Sequence, residues 1–301
     1  MPGNNNHIIN GLWIGKELSI LENLTIRSFI NKGHQFNLWV YDRSAASLPD
    51  GVMIKDANEI IPWEQVFKYR FKNQFGHGQN SYAGFSDIFR YKLLYMEGGW
   101  WVDMDVTCLK PFDHEEPYVF RTHHDFRVVG NIIKCPPGSE LMERCYEKAL
   151  SQVNENNRDW NKPIRILNET IEEFDLGKYV REISNADSWF IVRKFIRHEV
   201  EIPEHWYAIH WVNEEWRRNK VDKSFSGKKS TLRKLLVQNN LQDLRLSWTK
   251  RSLNLWRLTI ISIPFTSFSR IRYVPKYLWN RYGTCLWGYV DYYLKKFSRH
   301  A

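Results

Sequence analysis

Cysteine is scarce in this chain: among 301 residues there are 4, Cys108, Cys135, Cys145 and Cys285, and none is spaced as a metal ligand. That argues against a disulfide framework or a thiolate metal site, and makes free thiols in a reducing compartment, the cytoplasm, the expectation. Long apolar runs are missing too. No uninterrupted apolar stretch of about twenty residues occurs, so no membrane-crossing helix is expected. The polar start, Met1 to Asn6, leads into a short strand-like run rather than a basic-then-apolar targeting segment. Internal repeats and low-complexity tracts are absent. What remains, 301 residues with 43% hydrophobic content, suffices for one sizeable core plus an appendage.

Acidic residues are depleted in one region only. Of 43 Lys plus Arg and 34 Asp plus Glu, 17 and 3 lie in residues 220–301, leaving 26 and 31 before it, so the overall charge of +9 belongs to the tail. The tail also carries Trp248, Trp256, Trp279, Trp287 and six tyrosines among its basic residues. This divides the chain into residues 1–219 and a basic, aromatic C-terminal region, 220–301, expected to be helical. Three readings stay open for that region. It either meets an anionic membrane surface, where rings sit at headgroup depth and each cation contributes about 1 kcal/mol, or packs as a helical cap or subunit contact, or binds RNA. No nucleic-acid reader motif accompanies the composition, so no nucleic-acid partner is expected.

The first hundred residues predict a parallel βαβ start. Ile8 to Ile14 reads as a strand and Ile20 to Lys32 as a helix stopped by Gly33. Phe36, Leu38 and Val40 then alternate with Asn37, Trp39 and Tyr41 as a second strand. Asn58 to Tyr82, rich in aromatics and amides, has no clear period and is expected to supply a loop over a substrate. A helix over Ser86–Glu97 follows, with Phe85, Ile88, Phe89, Leu93 and Met96 on one face and Ser86 as its cap, ended by Gly98-Gly99. Next comes Trp100-Trp101-Val102-Asp103-Met104-Asp105-Val106. Read as a buried strand, it puts Trp101, Asp103 and Asp105 on one face and Val102, Met104 and Val106 on the other. Two carboxylates buried side by side cost several kcal/mol each unless a cation compensates, and a divalent metal would do so. The alternative is a solvated or structural pair of acids. In open α/β sheets ligands collect beyond the carboxyl ends of strands, where these two acids fall.

The run from Ser86 through Asp105 resembles the core motif of the retaining Asp-x-Asp sugar transferases, the family 32-like glycosyltransferases. That group is related to the α1,4-galactosyltransferases, the initiating mannosyltransferases and the clostridial glucosylating toxins. Three more segments are similar in the same order: Ile8-Ile9-Asn10-Gly11-Leu12-Trp13-Ile14-Gly15, Gly130-Asn131-Ile132-Ile133-Lys134-Cys135-Pro136-Pro137-Gly138, and Tyr207-Ala208-Ile209-His210-Trp211-Val212-Asn213-Glu214-Glu215-Trp216. The resemblance spans roughly residues 7 to 218. It departs at Glu215, where a small hydroxyl residue commonly precedes the tryptophan, and at Lys162-Pro163, where Gly-Pro is usual.

The resemblance implies an α/β fold: a GT-A type, Rossmann-like domain with a mixed, mainly parallel sheet. It further implies a nucleoside-diphosphate sugar donor, with a uridine nucleotide favoured, and a divalent cation, Mn2+ or Mg2+, on the diphosphate. Asp105 would be the direct metal ligand, Asp103 would touch the metal or the donor hydroxyls, and His210 would supply an imidazole. The other reading of His210 is a packed histidine in an aromatic cluster. Trp13 is either core or the platform on which the base stacks. Asp87 and Arg90 either pair with each other or bind donor sugar and phosphate, with Ser86 close by. Asn131 either contacts the transferred sugar or bonds backbone, and Trp216 closes the nucleotide-sugar site. Among function classes, a transferase building capsule, O-antigen or another surface glycan comes first, its acceptor lipid-linked and its place the cytoplasmic face of a membrane. A toxin-like protein-modifying transferase and a non-catalytic nucleotide-sugar or glycan-binding protein are the alternatives.

Overall fold

A computed structural model of the chain describes residues 7–42, 48–241 and 246–259. The chain falls into two compact units, Met1–Arg251 and Ser252–Ala301. The first contains β1 (Ile8–Trp13), α1 (Ile20–Ile30), β2 (Gln35–Val40), β3 (Met53–Asp56), α2 (Ala83–Glu97), β4 (Gly99–Val102) and β5 (Val106–Cys108). It continues with β6 (Val119–His123), β7 (Arg127–Cys135), α3 (Glu140–Gln152), α4 (Lys162–Glu173), β8 (Val180–Arg181) and α5 (Trp189–Arg197). After these come β9 (Ala208–His210), α6 (Asn213–Arg218) and α7 (Thr231–Gln238), with α8 (Trp248–Thr259) running on past Arg251. Residues 220–251 thus lie in the first unit, where α7 packs beside α5. The membrane-surface expectation falls mainly on residues 260–301, which lie outside the described residues.

The main sheet has the order β3-β2-β1-β4-β7-β6-β8. Pairs β3–β2, β2–β1, β1–β4 and β6–β8 are parallel, while β4–β7 and β7–β6 are antiparallel. This is the mixed, mainly parallel α/β sheet expected. A second sheet pairs only β5 and β9. Strand β4 lies centrally, so its side chains serve two cores: Trp101 packs with α2, α3 and α4 on one face, Trp100 and Val102 with α1, β5 and β9 on the other.

Local signals explain most boundaries. Ser19 and Glu22 close a capping box at the start of α1. Helix α2 begins at Ala83, so Ser86 lies inside its first turns rather than capping it. Phe85, Ile88, Phe89 and Leu93 are buried as expected, but Met96 is exposed, because the last turn of α2 runs out past the core. Gly98 ends α2 at φ 63°, and a Cβ there would stand 2.4 Å from the Pro137 nitrogen, so the turn requires glycine twice over. Glu22 is fully buried in α1, where it accepts from its cap's backbone N–H and faces Lys223 Nζ at 2.5 Å. That pair joins the end of the domain to its beginning.

Among the described residues no helix is long and apolar enough to cross a membrane. Cys108, Cys135 and Cys145 are free and buried.

Candidate active site

The acids are not on a strand. The ladder of β4 stops at Val102, and Asp103-Met104-Asp105 forms a tight turn closed by Val106 N–H to Asp103 carbonyl at 3.2 Å. The apolar half of the expected alternation persists, since Val102, Met104 and Val106 share one core. The acids diverge instead of standing side by side. Two like charges of low solvent access are cheaper apart, and each here has its own cation.

Asp103 turns to α2. Its Oδ1 accepts from Arg90 Nη2 at 2.8 Å and from Trp101 Nε1 at 2.8 Å, while its backbone N–H donates to the Asn131 carbonyl at 2.9 Å. Arg90 lies 5.1 Å from the centre of the Trp101 ring, and its Nη1 donates to Asp87 at 2.8 Å. The helix spacing of Asp87 and Arg90 thus does form an ion pair, but a buried one extended to Asp103. Burial raises the Asp87 carboxyl to about 6, with Arg90 pulling against it and Asp103 adding to the rise.

Asp105 turns the other way and is buried. Its Oδ2 lies 3.3 Å from His210 Nε2 and accepts the Asn213 N–H at 2.6 Å. Burial alone would raise this carboxyl, but His210, the Asn213 N–H and Lys223 together hold it below the usual carboxylate range. The Asn213 N–H is aimed by a strained residue. Val212 has φ 52°, in the left-handed region that β-branched residues avoid, at a cost on the order of 1–3 kcal/mol. His210 arrives on β9, opposite Val106 in the antiparallel pair. Its Nδ1 meets Asp187 Oδ1 at 2.6 Å. Burial would lower the imidazole, but Asp187 and Asp105 on its two nitrogens push it up to about 10.

Asp187 belongs to no motif noted in the sequence. Burial would raise its carboxyl, but His210 and Arg121 hold it far below the ordinary range. Arg121, equally unanticipated, forks onto it through Nη2 at 2.6 Å and Nη1 at 3.0 Å. A signal for Arg121 was available: it is a lone cation after Val119-Phe120 in an apolar strand. His123 Nε2 lies 3.6 Å from Asp187 as well, and burial lowers that imidazole to about 4.

The other sequence candidates sit as follows. Asn131, on β7, is buried and joins both halves, through its carbonyl to Asp103 and its Oδ1 to Arg121 at 3.2 Å. Trp13, at the end of β1, is half-buried at the rim of one core. Ser86 is half-buried in α2. Trp216 is fully buried in α6, with Nε1 donating to the Trp211 carbonyl at 2.9 Å and its ring edge-on to Trp189. The structure therefore unites Asp87, Arg90, Asp103 and Asn131 on one side and Asp105 with His210 on the other. Trp216 is engaged with neither. The only group of three His, Cys, Asp or Glu gathered at metal-binding distances among the described residues is His123, His124 and Asp125, on the β6–β7 hairpin. Three buried donors without a hydrogen-bond partner, Trp13 Nε1, Arg90 Nε and Asn131 Nδ2, belong to residues expected at the donor.

A central strand that delivers an Asp-x-Asp turn between a buried guanidinium and a buried imidazole makes this an α/β protein with opposed charges gathered at its strand ends. Residues 21–120 match the family model described as a glycosyltransferase sugar-binding region containing a DXD motif. That match, which includes Asp103-Met104-Asp105, supports a DXD-containing glycosyltransferase family. The Subversion of eukaryotic traffic protein A of Legionella pneumophila subsp. pneumophila is 24% identical over 159 residues, 45% of this chain. The match spans 23% of that relative's length. Among solved structures, the PaToxG glycosyltransferase is 14% identical at TM-score 0.43, covering 84% of this chain and 85% of that one. A cysteine-to-serine double mutant of a transferase is 11% identical at TM-score 0.40, covering 57% and 86%.

Proposed function

We propose that this protein transfers a sugar from a nucleoside-diphosphate sugar, a uridine nucleotide by preference, to an acceptor hydroxyl with retention of anomeric configuration. The observation that carries the proposal is the pair of Asp-x-Asp acids diverging from one turn, one to Arg90 and one to His210, within the segment that matches the DXD glycosyltransferase model.

Asp105 and His210 would suit a divalent cation that displaces the proton held between them. Asp187 on Nδ1 leaves Nε2 aimed at Asp105, the arrangement in which a carboxylate orients a ligating imidazole. These two residues would hold Mn2+ or Mg2+, which would take up charge on the departing diphosphate, while Asp103, turned to Arg90, would face the donor hydroxyls. Arg90 and Asp87 order the sugar side, and the Nδ2 of Asn131 is a buried donor ready for a hydroxyl. Trp13 offers an indole face to the base. The acceptor hydroxyl attacks the anomeric carbon on the face the diphosphate leaves, and a phosphate oxygen takes the hydroxyl proton.

A glycan acceptor of a bacterial surface polysaccharide, lipid-linked and met at the cytoplasmic face of a membrane, accords with the basic aromatic tail. The name of the Legionella relative favours a second reading, transfer onto a component of a eukaryotic host. A thermal-shift screen of nucleotide sugars with and without Mn2+ tests the common core. One donor should stabilise wild type only with metal, by about 2.7 kcal/mol at a hundredfold excess over its dissociation constant. Asp105→Ala and His210→Ala should lose the shift. No shift with any donor, or an equal shift in both variants, would sink the proposal.

A further inference from the structure

We propose that Arg121 is a positioning residue that sets both halves of the site at once, an inference that rests on the transferase reading. Its residue is 1% exposed, so no substrate reaches it. All five of its N–H donors are spent. Nε donates to Ser184 Oγ at 2.6 Å, Nη1 to Asn131 Oδ1 at 3.2 Å and Asp187 Oδ2 at 3.0 Å, and Nη2 to Asp187 Oδ1 at 2.6 Å and the Asn185 carbonyl.

Two consequences follow from that saturation. Asp187 is pinned, so the imidazole it holds through Nδ1 keeps Nε2 turned to Asp105. Asn131 is pinned as well. A guanidinium only donates, so the amide must turn its oxygen to Arg121 and its nitrogen away. That nitrogen is the unpartnered Nδ2, on a residue 6% exposed, and an amide donor kept buried without a protein partner is a place made for a ligand oxygen. The same residue's carbonyl anchors the turn at Asp103. One guanidinium thereby fixes the direction of an imidazole on one side of the Asp-x-Asp turn and of an amide on the other. A lysine, with three donors and no fork, cannot do both.

The test is Arg121→Lys, with Asp187→Asn as a second variant in case the first does not fold. Mn2+ alone is titrated and followed by electron paramagnetic resonance, and UDP-sugar hydrolysis is measured with kcat and KM separated. Both variants should weaken Mn2+ by about 10–100-fold, the range for groups that orient metal ligands. In Arg121→Lys at saturating Mn2+, kcat should fall by a similar factor and donor KM should rise more than threefold, because the Asn131 amide is no longer held towards the donor. If Asp105→Ala loses Mn2+ while the two variants stay within threefold of wild type, the inference is overturned and the transferase reading survives. If Asp105→Ala keeps Mn2+ as well, the metal site beneath the inference is wrong, and the inference falls with it.

Discussion

Gly130→Ala should damage the protein, although a methyl is the smallest addition a residue can receive. Gly130 lies inside β7, where replacing glycine by alanine ordinarily stabilises by roughly 0.5–1 kcal/mol through the unfolded chain. Here a Cβ would stand 2.0 Å from Arg90 Nη1 and 3.1 Å from its Cζ. The guanidinium must retreat by about 1.5 Å or more to reach an ordinary contact. It cannot do so and keep both 2.8 Å bonds, to Asp87 and Asp103. Overpacking costs roughly 1–3 kcal/mol, and breaking a buried ion pair roughly 3–5. Asp87 and Asp103 keep some solvent access, 19% and 33%, and recover part of their hydration. A net loss of about 2–3 kcal/mol follows, read by urea denaturation as a fall in midpoint at constant slope. The decisive comparison repeats the substitution in an Arg90→Ala background, where the clash is gone and the change should be neutral or stabilising. A loss below 1 kcal/mol in wild type, or the same loss in both backgrounds, would refute the reasoning.

Other outcomes follow from the same geometry. Lys223→Met should destabilise by about 2–4 kcal/mol, because Glu22 is left buried without its cationic partner and with only its cap's N–H, and adding Glu22→Gln should restore most of the loss in chemical denaturation. Val212→Asn, which tolerates the left-handed region, should raise stability by about 1 kcal/mol in the same assay, and an unchanged midpoint would remove the strain argument. His123 has a folded pKa of about 4, below its ordinary 6.5, so it is buried neutral and must be charged on acidification. Its contribution is complete above pH 6.5 and lost as pH falls towards 4, up to about 3 kcal/mol at 1.36 kcal/mol per unit, and His123→Asn should flatten that limb of the stability profile. Proton NMR of the product formed at early times should show the donor's anomeric configuration, and an inverted product would end the retaining proposal.

The parts of this structure legible in the sequence are those whose spacing is local. Ile8 to Val40 announced a parallel βαβ start because apolar alternation and a terminal glycine lie within 33 consecutive residues. Asp103, Asp105 and Arg90 were visible because one helix, one glycine pair and one strand set them. The direction in which the acids point was not visible. A strand repeat predicts a shared face, whereas the ladder ends at Val102 and the chain folds into the turn closed by the Val106 N–H on the Asp103 carbonyl. Arg121 and Asp187 escaped for a different reason: their partnership joins β6 to the segment before α5, and no short pattern connects residues 66 apart. His210 stood out only within its motif, and the carboxylates on its two nitrogens come from residues 23 and 105 positions away, as the numbering shows.

The two-stranded pairing of β5 with β9 has a consequence for the order in which the protein matures. Helix α2, β4 and the Asp-x-Asp turn lie within about two dozen residues of one another, so Arg90 can find Asp103 by local search. Val106 and His210 meet only after about a hundred intervening residues have been gathered, and closing so long a loop is slow. During synthesis or refolding Arg90 and Asp103 are therefore expected to pair before the imidazole of His210 arrives. A chain cut before Ala208 would carry the whole matched DXD region and still be unable to complete its pair of opposed carboxylate and imidazole.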